Sequence, residues 1–183
     1  MRCKRCPNCV SWLRVDRTAT AYLQPDAIAD SWQLPGVPSL QARQYYGHPQ
    51  NQFWRVLSAV LSNVYGSSPI DMCASSYQMR SNWLLSKKLG VWDVYASCQR
   101  EGSLDSNIRQ AVLNDFSTLT TLCPNLQAIA HNGGESFKHA KHTQNLGFPV
   151  FRLPSTSPAN ASWSFERKVA AWQGVFEKCG LNG

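Results

Sequence analysis

From Gln52 onward the chain switches repeatedly between two apolar periods, and that alternation restricts the folds open to it. Over residues 52–64, apolar residues stand at Phe53, Trp54, Val56, Leu57, Val60, Leu61 and Val64, the spacing of a helix with one buried face. Residues 77–89 repeat a helical pattern and meet a stop at Gly90. Residues 91–96 read as a strand, and 106–116 as a helix capped by Asp105 or Ser106. Residues 126–131 read as a strand, 135–145 as a helix, 148–153 as a strand, and 163–179 as an amphipathic helix stopped by Gly180. Strands alternating with helices predict an α/β fold, a three-layer α/β/α sandwich around a mainly parallel central sheet. Such sheets bind ligands beyond the carboxyl ends of their strands. Loops that follow strands are therefore the places to look for chemistry.

Composition narrows the partner. Eighteen Lys and Arg against eleven Asp and Glu give a net charge of +7, which fits a polyanion. The excess persists in residues 34–183, where 13 basic and 8 acidic groups leave +5. At 183 residues the chain has enough length for one domain with a full core. No apolar run approaches the roughly 20 residues of a membrane span. No apolar core follows Arg2, Lys4 and Arg5 to make a signal peptide. Cys73, Cys98, Cys123 and Cys179 read as buried free thiols of a reducing compartment, so a cytoplasmic location is expected; a monomer is expected as well. Cys3, Cys6 and Cys9 have metal-ligand spacing but no evident fourth ligand, and His139 and His142 lack a third. No Gly-x-Ser-x-Gly elbow or phosphate-binding glycine motif is present. No metal and no cofactor is expected.

Two loops carry the chemistry. Tyr45-Tyr46-Gly47-His48-Pro49-Gln50-Asn51-Gln52-Phe53-Trp54 offers aromatic faces and a carboxamide to a flat ligand with polar edges. Leu153-Pro154-Ser155-Thr156-Ser157-Pro158-Ala159-Asn160-Ala161 has short hydroxylated side chains that let a backbone lie close against something. Together they suit a nucleobase and the strand that carries it. His-Pro-x-Asn-x-Phe-Trp followed by Leu-Pro-Ser-Thr-Ser-Pro-Ala-Asn-Ala resembles the uracil-DNA glycosylase superfamily, and more narrowly its hypoxanthine-DNA (deoxyinosine) glycosylases. The resemblance runs from about residue 34 to about residue 179.

The resemblance implies a uracil-DNA glycosylase-like fold and a monofunctional enzyme that removes a deaminated base from DNA. Hypoxanthine is the expected base. A uracil- or thymine-mismatch glycosylase is the alternative within the enzyme class, and a damaged-DNA-binding module without catalysis is the alternative outside it. The mismatch-specific relatives carry Asn in the turn where this chain has Leu34, which favours the hypoxanthine branch. The resemblance also implies that Asn51 is the catalytic polar residue. An amide is no base, but it can orient water and hydrogen-bond the reacting nucleotide. As a residue type, Asn51 equally suits a helix cap.

Several further side chains have two readings each. Tyr45 and Tyr46 line or stack on the flipped base, or pack in the core. His48 donates to a phosphate or the leaving base, or simply makes a turn with Pro49. Asn132 reads the base edge, or shapes the turn before Gly133 and Gly134. Ser155, Thr156, Ser157 and Asn160 resemble the superfamily loop that touches phosphates in the minor groove, and Arg100 is a further phosphate ligand or an ion-pair partner of Glu101 or Asp105. Residues 1–33 break the pattern: Ala29-Asp30-Ser31 stands where the resemblance calls for an apolar first strand. This segment is read as an atypical one, disordered or aberrant through a shifted frame or a wrong start, that packs poorly against a glycosylase domain of residues 34–183.

Overall fold

In a computed structural model, residues 10–15, 44–66, 71–100 and 108–180 are described. Helix α1 (Phe53–Tyr65) buries Phe53, Val56, Leu57, Val60 and Leu61, a stripe recurring every three or four residues. It ends where Gly66 takes a left-handed φ of 61° and returns its N–H to Ser62 O. Helix α2 (Tyr77–Ser86) begins at Ser76, whose hydroxyl accepts from Met79 N. Helix α6 (Phe165–Lys178) is capped the same way by Ser164 and turns Lys168, Trp172 and Phe176 inward. Helices α1 and α6 pack together through an edge contact of the Phe53 and Trp172 rings at 6.0 Å and a bond from Asn63 Nδ2 to Gln173 Oε1.

The central sheet holds β1 (Val10–Val15), β2 (Leu89–Asp93), β5 (Leu126–Asn132) and β6 (Val150–Leu153), in the order β2-β1-β5-β6. A separate hairpin pairs β3 (Tyr95–Arg100) with β4 (Ile108–Leu113). Apolar side chains cluster on both sides of β5. Ala130 joins α1, α6 and the α2–β2 region, while Ile129 joins Val94, Tyr95, Phe116 and Leu119 of the short helix α3 (Thr118–Leu122).

Five expectations need correction. Val10–Val15 is a central strand, antiparallel to both β2 and β5, so this part of the 1–33 segment is integrated into the sheet. The sheet is therefore mixed: β5 and β6 are parallel, whereas β1 runs against its neighbours. Backbone pairing fills the slot with a segment rich in β-branched and aromatic residues, and the slot accepts either direction. Residues 108–113 form a strand rather than a helix, because the hairpin partner Tyr95–Arg100 supplies a ladder that a lone amphipathic turn lacks. The helix expected over 135–145 is broken into α4 (Gly134–Phe137) and α5 (Ala140–Gln144). Cys123 is buried as expected, but Cys73 is exposed. The Leu34-Pro35-Gly36 turn and the Cys3, Cys6, Cys9 run lie outside the described residues.

Candidate active site

The parallel register of β5 and β6 sets Asn132 beside Leu153, so the chain leaves both strands at one edge. Gly133 and Pro154 follow. Gly133 has φ of 100°, and a Cβ there would lie 2.9 Å from Ser155 Cβ, so only glycine lets the two loops meet. Its N–H donates to Leu153 O at 2.9 Å.

Hydrogen bonds then join the two signature loops. The Gln52 N–H donates to Thr156 O at 3.0 Å. Asn132 lies between them: its Nδ2 donates to Tyr46 Oη and to Thr156 Oγ1, each at 3.0 Å, and its Oδ1 accepts from Thr156 N at 3.1 Å. Thr156 is 0% exposed and Asn132 3%. Both were expected at the ligand, yet they lie beneath the site and hold it. Tyr46 is also buried. Its ring stacks on Phe53 with centroids 3.7 Å apart and 13° between planes, and its φ of 55° is the left-handed conformation that a tyrosine rarely adopts. Such strain costs on the order of 1–3 kcal/mol and persists only where surrounding contacts over-determine it.

Asn51 sits where these loops meet. Its N–H donates to His48 O, and its Oδ1 accepts from Phe53 N at 2.9 Å, which fixes the start of α1. Among the described residues nothing takes a hydrogen bond from its Nδ2. Asn51 is not the N-cap itself, which is Gln52, but its Oδ1 holds the first N–H of α1 while the other end of the amide remains available, so a structural and a functional role are compatible. Half-buried His48 accepts from Gln50 N through Nδ1 at 3.2 Å, which leaves Nε2 as the donor of a neutral ring. Tyr45 donates its hydroxyl to Asp93 Oδ2 at 2.9 Å, at the carboxyl end of β2. Ser157 N–H bonds to Ser155 Oγ, and Asn160 Nδ2 to Ser155 O, so this loop is folded on itself. Arg100 closes β3, and its side chain lies outside the described residues.

Three residues were missed. An open cleft of about 590 Å³ runs beside the serine loop, lined by Arg152, Ser155, Ser157, Asn160 and Trp163 among others. Arg152 is exposed there, with its guanidinium 5.7 Å from the Phe137 ring centroid. Arg167, in the first turn of α6, lies 4.5 Å over the Trp163 ring just before the helix. A charge inside the 148–153 apolar run and an aromatic four residues before an arginine were the available signals. The third is Lys168, buried on the apolar stripe of α6; burial lowers its pKa.

Beneath the edge, His131 is 0% exposed. Thr143 Oγ1 donates to Ala140 O, so it accepts from His131 Nε2–H at 2.8 Å, and Nδ1 accepts from the Ser136 hydroxyl at 2.7 Å. Burial, with the like charge of His139 second, lowers the His131 pKa to about 4. The unfolded chain takes this proton near the ordinary 6.5, the folded chain only near 4. His131 therefore contributes full stability above pH 6.5 and loses it as pH falls towards 4, about 3 kcal/mol in all. Urea unfolding at pH 7 and near pH 4 should show a smaller acid loss in His131→Gln than in the parent; equal losses would exclude the assignment.

No family model matches the chain. It is 34% identical over 145 residues to the hypoxanthine DNA glycosylase of Methanosarcina barkeri, covering 79% of this chain and 87% of that one. It is 35% identical over 143 residues to the hypoxanthine DNA glycosylase of Methanosarcina acetivorans, covering 78% and 85%. A solution structure from M. acetivorans, provisionally assigned as a uracil DNA glycosylase, superposes with a TM-score of 0.64 at 32% identity, over 81% of this chain and 87% of that one. With both signature loops joined at one sheet edge, and with identity at this level across most of each relative, the chain belongs to the hypoxanthine DNA glycosylase family.

Proposed function

We propose that this protein is a monofunctional DNA glycosylase that hydrolyses the N-glycosidic bond of deoxyinosine and releases hypoxanthine. The observation that carries the reading is Asn51: a buried carboxamide, fixed at one end by Phe53 N, at the point where two loops of this family are joined through Gln52 and Thr156. The C1′–N9 bond breaks with its electron pair passing to the base. Water oxygen bonds to C1′, and its proton reaches the base, directly or through solvent. Asn51 would orient that water and the nucleotide without acting as a base. His48 Nε2–H would donate to the departing base or to a phosphate. Tyr45, Tyr46 and Asn132 would form the wall and floor of the base pocket, with Asn132 positioning Tyr46 and Thr156. Ser155, Ser157, Asn160, Arg100 and the Arg152 cleft would meet the DNA backbone. The apolar clusters on both sides of β5 support a three-layer α/β/α arrangement, and a monomer is expected. Among the described residues no helix is long and apolar enough to cross a membrane.

A second reading, uracil as the base, rests on the provisional assignment of the M. acetivorans structure. Labelled duplexes containing deoxyinosine, deoxyuridine or neither separate the two. The proposal expects alkali-labile sites on deoxyinosine first; cleavage confined to deoxyuridine would overturn it. The +7 charge predicts a further outcome. A protein neutralising about four phosphates loses on the order of a hundredfold in affinity between about 50 and 200 mM salt. Flat binding over that range would remove the electrostatic part of the account.

A further inference from the structure

Lys168 is 2% exposed, and it stands on the stripe of α6 that otherwise buries Trp172 and Phe176. Its Nζ donates to Gln52 Oε1 at 2.9 Å. Among the described residues it has no carboxylate partner. A buried ammonium facing only an amide is an unfavourable choice for stability, because desolvation of a full charge is answered by one neutral acceptor. It also lies against the start of α1, where the helix dipole is already positive and the first turn holds no acidic residue. The group therefore needs another reason to be there.

Gln52 supplies it. This residue is the N-cap of α1, but its side chain makes no cap bond; the carboxamide is turned to Lys168 instead. Its N–H is the backbone link to Thr156 O, and its neighbours Asn51 and Phe53 share the Oδ1–N bond across it. Rotation of Gln52 would shift Asn51 and the serine loop together. We propose that Lys168 is a positioning residue of the excision site, clamping Gln52 from below so that Asn51 and the Ser155–Ser157 loop keep one mutual geometry. The inference rests on the glycosylase reading given above.

The test compares the full-length parent with Lys168→Met, Gln52→Leu and the double variant on a deoxyinosine duplex under single-turnover conditions, together with thermal melting. Misplacement of a reacting group by about 1 Å costs on the order of a hundredfold in rate. Lys168→Met should therefore slow excision roughly ten- to a hundredfold, move the half-saturating DNA concentration by less than about threefold, and melt at or above the parent temperature. Gln52→Leu should slow excision similarly, and the double variant should be no slower than the slower single one, because both remove the same clamp. An unchanged rate in Lys168→Met, or multiplying losses in the double variant, would overturn the proposal. So would a loss tracking only a lowered melting point and active fraction. A parent that excises nothing from deoxyinosine would instead overturn the glycosylase reading, and the inference with it.

Discussion

Asn51→Ala should slow single-turnover excision of hypoxanthine about a hundred- to a thousand-fold, which corresponds to roughly 2.7–4 kcal/mol of lost transition-state stabilisation. The same change removes the bond from Phe53 N to Asn51 Oδ1, a helix-start contact worth about 1 kcal/mol. For a chain of this size that is a fall in melting temperature of roughly 2–4 °C. Rate and stability thus answer separately. A variant that melts a few degrees early yet excises at nearly the parent rate would make Asn51 a helix-start contact alone and would move the active site elsewhere.

The largest stability effect is expected from Asn132→Ala. Its carboxamide makes the three bonds to Tyr46 Oη, Thr156 Oγ1 and Thr156 N inside a region closed to solvent. Removing it strands the Thr156 N–H and loosens the hydroxyls of Tyr46 and Thr156. Each buried donor or acceptor left unmade costs about 1–3 kcal/mol, so a loss of about 3 kcal/mol is expected, roughly 6–12 °C of melting temperature. It should also release Tyr46 from its left-handed backbone conformation. Urea and thermal unfolding measure the loss; a change under about 1 kcal/mol would show that water or relaxation replaces these bonds.

Much of this fold was legible because burial writes a period into the sequence. Helices α1 and α6 begin and end within one or two residues of their apolar stripes, and β5 reads as a strand because nearly every position is buried. Strand β1 was missed for a different reason. A sheet slot is filled through backbone hydrogen bonds, which neither side-chain period nor motif position fixes, so Val10–Val15 enters antiparallel although residues 1–33 were expected to pack poorly. Strand β4 depends on its hairpin partner, a pairing that a local window cannot show. In the site, residue types marked the correct loops but not the depth of each side chain. Asn132 and Thr156 are polar, and polarity pointed to a ligand; the structure turns their bonds towards each other. Lys168 leaves a signal of its own, a charge on an apolar stripe, but residue type alone assigns a lysine to solvent.

The most direct test is chromatographic detection of free base. A duplex with a single deoxyinosine is incubated with an excess of protein, and base release is followed alongside strand integrity before and after alkali. The account predicts free hypoxanthine and abasic sites in equal amounts, with the strand intact until alkali is added. Retention of the duplex by the protein with no free base at any time would contradict it, and would identify a module that binds damaged DNA without cutting the glycosidic bond.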